Sequence, residues 1–270
     1  METTDKLFAG SIPEIYDRLL VPLIFEFYAR DLAQRIATLK PRDVLEIAAG
    51  TGVLARAVAS HLDATARMEV TDLNQPMLDL AAARQRGDSR ITWRKADALA
   101  LPFEDQRFDV AACQFGAMFL PDRVQAYKEA RRVLKPGGHF LFNVWGPISE
   151  NEFADVVTKA LARFFPQDPP RFMARTPHGH HDADKIREEL AAAGFGSVSI
   201  AALDGTSRAS SPREVAVAYC QGTPLRNEIE ARDATRLEEA TQEAAEALAR
   251  RFGRGPIEGR ISALVMTAVR

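Results

Sequence analysis

The sequence predicts an α/β fold on an open, largely parallel sheet, and three observations carry that expectation. Short apolar runs alternate with helical periodicities through the first half of the chain. One of them, Val44-Leu45-Glu46-Ile47, passes through Ala48-Ala49-Gly50-Thr51-Gly52 straight into a helical pattern of Val53, Leu54, Ala57, Val58 and Leu62. A second run ends in Asp72, 20 residues after Gly52. In open α/β sheets a strand, glycine loop and helix in this order place a ligand beyond the carboxyl end of the strand.

Composition narrows the classes. The 270 residues are 46% hydrophobic, enough for a sizeable core in one large or two small domains. With 35 basic and 37 acidic residues the net charge is −2, which supports neither a nucleic-acid partner nor a membrane surface through bulk electrostatics. Cys113 and Cys220 stand far apart, so no disulfide framework or zinc pattern is expected and a reducing cytoplasm fits best. Met1-Glu2-Thr3-Thr4-Asp5 is polar and acidic, unlike a secretory leader, and no run approaches the ~18 apolar residues of a membrane span.

Residues 12 to 39 read as helical with a break at Pro22. Phe25, Tyr28, Leu32, Ile36 and Leu39 recur by threes and fours, giving a helical cover with one apolar face. Tyr16 and Tyr28 are either core aromatics or lie over a ligand. In the central unit, Val44, Leu45 and Ile47 suit a strand buried on both faces, whereas Glu46 is costly to bury unless something with donors meets it. Gly50 and Gly52 allow a sharp turn and close approach of the backbone to a bound molecule. The strand Met68-Glu69-Val70-Thr71 leads to Asp72, and a helix entered through Asn74 and Pro76 follows, with Met77, Leu80 and Ala81 on one face. A carboxylate at Asp72 can accept from both hydroxyls of a ribose, or simply help to cap that helix.

Alone, Gly50-Thr51-Gly52-Val53-Leu54-Ala55 and Asp72 would also suit a nicotinamide-binding fold. Three later features separate the readings. Strand Ile91-Thr92-Trp93-Arg94-Lys95-Ala96 ends in Asp97-Ala98 before Leu101-Pro102-Phe103, so a carboxylate could take a bond from an adenine amino group while the next N–H meets a ring nitrogen. Strand Phe108-Asp109-Val110-Ala111-Ala112-Cys113-Gln114 leads into Phe115-Gly116-Ala117-Met118-Phe119. A helix bearing Val124, Tyr127 and Leu134 closes in Lys135-Pro136-Gly137-Gly138 and turns into strand 139–144.

With these motifs in this order, the stretch from about 41 to 146 resembles the class I S-adenosylmethionine-dependent methyltransferases, in particular the branch of the ubiquinone and menaquinone C-methyltransferases and related small-molecule enzymes. The resemblance implies a Rossmann-like core, with a seven-stranded, mostly parallel sheet whose last strand is antiparallel and sits beside the one before it. It implies S-adenosyl-L-methionine as cofactor and S-adenosyl-L-homocysteine as product. Glu46 and the backbone of Ala48, Ala49, Gly50, Thr51 and Gly52 would surround the methionine part, Asp72 would hold the ribose, Leu73 and Met77 would pack near the adenine, Asp97 and Ala98 would bond its edge, and Gln114 would meet the methionine amino end. Ala48 departs from the family, which often has its first glycine there.

Methyl transfer from a sulfonium needs in-line positioning and exclusion of water more than a protein nucleophile. The acceptor is expected to be a small apolar or aromatic molecule attacked through O, N or C, with no catalytic base named by the sequence. Phe115, Phe119, Tyr16, Tyr28 and Phe172 are candidates for its pocket, chosen on position and type. Two other readings stand beside this one: a non-catalytic regulator that binds the same nucleoside, and a nicotinamide-dependent oxidoreductase.

Residues 147–185 depart most from the family pattern and read as a lid or acceptor-binding insertion. A helix with Phe153, Val157, Leu161 and Phe164 precedes the proline-rich loop 165–173 with its exposed-looking aromatics. His178, His180 and His181 follow. Adjacent histidines cannot easily share one metal and Asp182 or Asp184 reads as a helix start, so no metal site is expected; solvated loop residues are the plainer account, with a base role for His178 as the alternative. The remainder, 186–270, completes the sheet. It comprises a helix over 184–193 stopped by Gly194, a strand over 197–203, a long helical stretch over 212–252 broken at Gly222-Thr223-Pro224, and a last strand over 261–269. The face of Leu237, Ala240, Ala244, Leu248 and Phe252 would pack on its own domain, or on a second copy in a homodimer. The expected organisation is thus 1–40 cover, 41–146 cofactor core, 147–185 insertion and 186–270 completion.

Overall fold

The computed structural model describes residues 10–270; the first nine residues of the expected cover lie outside the described residues. Seven strands, β1 (Asp43–Glu46), β2 (Arg67–Asp72), β3 (Ile91–Lys95), β4 (Phe108–Gln114), β5 (Leu134–Trp145), β6 (Ser197–Ala209) and β7 (Ile257–Val269), form one sheet in the order β3-β2-β1-β4-β5-β7-β6. β1 pairs in parallel with β2 and β4, β2 with β3, and β4 with β5. The N–H of Gly137 donates to Arg270 O at 3.2 Å, and the N–H of Gly146 donates to Ser262 O at 2.9 Å. The start of β5 thus meets the far end of β7 while its own far end meets the interior of β7, which makes the last strand antiparallel, as expected.

The helices are α1 (Ile12–Ile15), α2 (Glu26–Thr38), α3 (Val53–Ala59), α4 (Gln75–Arg84), α5 (Arg123–Val133), α6 (Glu152–Phe164), α7 (Phe172–Arg175), α8 (Ala183–Ala192), α9 (Pro212–Gln221), α10 (Leu225–Asp233) and α11 (Leu237–Phe252). The chain divides into two compact units. The first comprises Glu26–Val144, His181–Ala202 and Leu264–Arg270; the second comprises residues up to Phe25, Trp145–His180 and Leu203–Ala263.

In the first unit, the middles of β1 and β4 are apolar because both faces are covered there. Val44, Leu45, Val110, Ala111 and Phe142 are buried, as are Leu54 and Val58 of α3, Leu32 and Ile36 of α2 and Tyr127 of α5. Each such aliphatic side chain contributes roughly 1.5–3 kcal/mol. The N–H groups of Arg42 and Asp43 donate to Asp109 Oδ2, each at 2.9 Å, and Lys135 Nζ donates to both Asp43 and Asp109 at 2.8 Å. These bonds fix the amino ends of β1, β4 and β5.

In the second unit the break expected at Pro22 is absent. Residues 16–25 stay helical by taking the wider π winding, which accommodates a ring that would otherwise press on the carbonyl four residues back. The stretch 212–252 has a second break, at 234–236, where Asp233 accepts from the N–H of Thr235 and closes a short turn. The apolar face of α11 packs against α9 and α6. Strands β6 and β7 begin or end several residues beyond the expected 197–203 and 261–269.

The proline-rich loop also differs from expectation: Phe172 and Met173 are buried, not exposed. Glu228 of α10 accounts for this, since its carboxylate accepts from the N–H groups of Arg171 (2.7 Å) and Phe172 (3.1 Å) and from the guanidinium of Arg175 (2.6 Å). Arg232 adds a bond to Asp168 O at 2.5 Å. The segment is pinned by a residue more than fifty positions away.

Candidate active site

The carboxyl ends of β1, β2 and β4 bring the central motifs together within the first unit. After Glu46 the backbone stays between its neighbours: the N–H of Ile47 donates to Ala112 O (2.8 Å), that of Ala49 to Thr71 O (2.9 Å), and Thr71 Oγ1 donates to Glu46 O (2.8 Å). The loop then winds through left-handed conformations at Ala48 (φ +56), Gly50 (φ +56) and Gly52 (φ +77). Glycine is required at Gly52 twice over, since an added Cβ would lie 3.0 Å from that of Ala81 and 3.1 Å from the Trp93 ring.

Ala48 carries a side chain in a conformation that normally disfavours one. Gly116 makes room for it: a Cβ there would fall 2.6 Å from the Ala48 methyl and 2.7 Å from Cys113 Sγ. The methyl of Ala48 is thus matched by a glycine beyond β4. Gly116 was not singled out in the sequence, because the two positions are 68 residues apart.

Asp72 both shapes the loop and starts the next helix. Its Oδ2 accepts from the N–H of Gly50 and its Oδ1 from the N–H of Asn74, each at 2.7 Å. Burial pushes the carboxyl above the ordinary aspartate value, and the two amides oppose that shift. The Asn74 side chain and the N–H of Leu73 also face this carboxyl. Leu73 is exposed and Met77 buried. Asp97 is exposed and accepts from the N–H of Leu99 at 2.9 Å, while Ala98 is buried beside it.

Gln114 ends β4 and is buried, and Phe115 follows with φ +50, a strained conformation for a bulky residue. Asn143 of β5 holds it there: the N–H of Phe115 donates to Asn143 Oδ1 at 3.0 Å. Asn143 was also missed, although a lone amide inside the apolar run Phe140–Trp145 was its signal. The Phe115 ring meets that of Tyr28 edge-on, with centroids 5.3 Å apart. Phe119 is half-buried on the short turn that follows.

Tyr16 and Phe172 belong to the second unit. The Tyr16 ring packs 5.2 Å from Phe25, and Phe172 is among the fully buried side chains. His178 and His180 are buried, which corrects the solvated-loop expectation; His181 is exposed. Burial of His178 is sustained by its Nδ1 lying 2.9 Å from Gly146 O. Among the described residues no three His, Cys, Asp or Glu side chains gather as a metal site.

The loop also fits a polar, positively charged ligand. Glu46 Oε2 and Thr51 Oγ1 are buried polar atoms without a hydrogen-bond partner, both beside the glycine turn. Burial pushes the Glu46 carboxyl up to about 8, offset in part by Arg56. Such groups are ready to take donors and positive charge.

The model of the ubiE/COQ5 methyltransferase family matches residues 8–210. The chain belongs to that family. It is an S-adenosylmethionine-dependent methyltransferase, so the nicotinamide reading and the purely regulatory one give way. It is similar to the ubiquinone/menaquinone biosynthesis C-methyltransferase UbiE of Laribacter hongkongensis, 34% identical over 57% of this chain and 67% of that one. It is also similar to the demethylmenaquinone methyltransferase of Lactobacillus johnsonii, 30% identical over 59% and 70%. The crystal structure of YcgJ from Bacillus subtilis aligns with TM-score 0.58 at 19% identity, covering 90% of this methyltransferase and 98% of that protein. Among the described residues no helix is long and apolar enough to cross a membrane.

Proposed function

We propose that this methyltransferase transfers a methyl group to a ring carbon of a small quinone-type acceptor in its reduced, hydroquinone form. The names of the two relatives support the quinone class. The observation in this chain that carries the reading is the Tyr28–Phe115 pair, two buried aromatic rings packed edge-on beside the glycine loop through the Ala48–Gly116 contact. Half-buried Phe119 on the following turn is the ring of this cluster on which a planar acceptor would stack, at a gain of about 0.5–1.5 kcal/mol.

Asp72 would hold the ribose hydroxyls and Asp97 with the N–H of Ala98 would read the adenine edge. Leu73 and Met77 would flank the ring, Gln114 would meet the methionine amino group, and Glu46 with Ala48 to Gly52 would surround the rest. The bound cofactor supplies a methyl activated on a sulfonium. The chain holds the acceptor carbon in line with it and keeps water away, which lowers the barrier by an amount on the order of 7–11 kcal/mol without a covalent residue.

Calorimetric titration with S-adenosylmethionine and S-adenosylhomocysteine, with NADH and NADPH as controls, tests the cofactor half. Incubation with reduced quinones, followed by mass spectrometry and proton NMR, tests the acceptor half. A new aromatic C-methyl signal is expected. Methyl on oxygen or nitrogen, or transfer to amines in preference to hydroquinones, overturns the acceptor reading.

A further inference from the structure

Asn143 is 0% exposed, an amide set in the apolar run Phe140–Trp145 of β5. A buried amide costs free energy unless its hydrogen bonds are made, and this one makes only part of them. Its Oδ1 accepts from the N–H of Phe115 at 3.0 Å, and its backbone oxygen takes the same N–H at 3.2 Å. Its Nδ2 is buried and, among the described residues, has no hydrogen-bond partner. An apolar side chain would fill the position without the unpaired donor, so packing alone does not account for an asparagine here. What the side chain does achieve is local. Phe115 has φ +50, a conformation that a bulky residue leaves unless something holds it, and the clamp on its N–H supplies the hold.

The clamp reaches the glycine loop in one further step. Gly116 follows Phe115, and a Cβ at Gly116 would stand 2.6 Å from the Ala48 methyl, so this turn lies directly against Ala48. Ala48 is itself left-handed, with φ +56, between Ile47, whose N–H donates to Ala112 O, and Ala49, whose N–H donates to Thr71 O. β5, β4 and β1 are neighbours in the sheet, and Asn143, the Phe115–Gly116 turn and Ala48 form a continuous line of contacts across them. Resting on the reading that S-adenosylmethionine occupies the glycine loop, we propose that Asn143 is a positioning residue for cofactor binding. By holding Phe115 left-handed it keeps the Gly116 turn against Ala48, and so keeps the loop in the shape that receives the cofactor. Without the clamp Phe115 relaxes to negative φ and the turn moves off Ala48. The loop must then be ordered anew each time the cofactor binds, and that ordering is subtracted from affinity.

The test is calorimetric titration of the full chain with S-adenosylmethionine at pH 6, for the wild type, Asn143→Ala, Asn143→Asp and, as a marker of the loop, Asp72→Ala. Asn143→Asp keeps the acceptor and, protonated by burial, offers an O–H where Nδ2 stood. Asn143→Ala is expected to raise Kd on the order of tenfold, the scale of one hydrogen bond, and Asn143→Asp to bring it back to within about threefold of the wild type. A role confined to packing predicts no such rescue, since an acid in a fully buried apolar strand is tolerated no better than alanine. Wild-type affinity in Asn143→Ala, or Asn143→Asp as weak as Asn143→Ala, overturns the proposal, and weakened binding by Asp72→Ala then leaves the loop reading intact. Unchanged binding by Asp72→Ala removes the loop reading and the proposal with it. If Asn143→Ala fails to fold, amide hydrogen exchange of the wild type decides. Saturating cofactor should slow exchange at Phe115 together with Gly50; slowing at Gly50 alone overturns the proposal, and slowing at neither removes the loop reading as well.

Discussion

Replacing Asp72 by Asn keeps the shape of the side chain and inverts half of its chemistry. The carboxylate accepts from two backbone amides at 2.7 Å, one on each oxygen, and is 7% exposed. Whichever way an amide is turned, its NH2 faces the N–H of Gly50 or of Asn74, so one bond is lost and a donor is left without an acceptor. A hydrogen bond to a charged group is worth about 1.5–3 kcal/mol, and the expected loss of folding stability lies in that range. If the same oxygens accept from a ribose, cofactor affinity falls by a further 1–3 kcal/mol, roughly 5–150-fold in Kd. Urea unfolding read by tryptophan fluorescence measures the first quantity and calorimetry the second. An unchanged unfolding midpoint together with unchanged affinity would refute both the anchoring of the loop by Asp72 and its placement at the ribose.

Further outcomes are open to direct measurement. Gly116→Ala is expected to cost about 1–3 kcal/mol through overlap with Ala48 and Cys113, and Ala48→Gly in the same chain to recover much of it; additive effects in the double-mutant cycle would show that the two positions are not coupled. Glu46 is protonated when folded and ionised when unfolded between its ordinary value of 4.5 and about 8, so the folded state binds the extra proton and stability falls as pH rises through that window. The loss should reach at most about 4–5 kcal/mol, and Glu46→Gln should be flatter with pH; parallel pH profiles would contradict the assignment. Glu228→Ala removes the carboxylate that takes one bond from the Arg175 guanidinium and one from each of two backbone amides, with an expected cost of about 1–3 kcal/mol. Hydrogen exchange at Arg171 and Phe172 should then quicken well before the rest of the chain, and uniform exchange would place the anchor elsewhere.

What could be read from the sequence was whatever is local. The strand, glycine loop and helix at 44–59, the acid at Asp72, the step at Asp97-Ala98 and the helix start at Asp182 all declare themselves within a few residues, and the structure places each as its local chemistry requires. Residues whose role depends on a distant partner did not. Glu228 reads as one more charge on an amphipathic helix until its contacts with Arg171 and Arg175 are seen, and with them goes the burial of Phe172. Gly116 has meaning only opposite Ala48, and the buried His178 ring is satisfied by a hydrogen bond between its Nδ1 and the distant Gly146 O. Pro22 misled for another reason: the rule that proline ends a helix assumes α winding, and residues 16–25 adopt a different one.

The placement of β7 between β5 and β6 bears on how the protein comes into being. Synthesis delivers β5 more than a hundred residues before the strand that covers its edge, and β6 emerges with no neighbour to pair with. Until β7 arrives, the nascent sheet presents the open backbone groups of β5, a template for wrong partners. Premature termination before Ile257 would therefore yield a chain that holds every glycine and carboxylate of the cofactor loop and yet is prone to aggregate. For this methyltransferase the last strand acts as the closing seam of the sheet, and a chaperone that shields β5 during translation would act where the chain is most exposed.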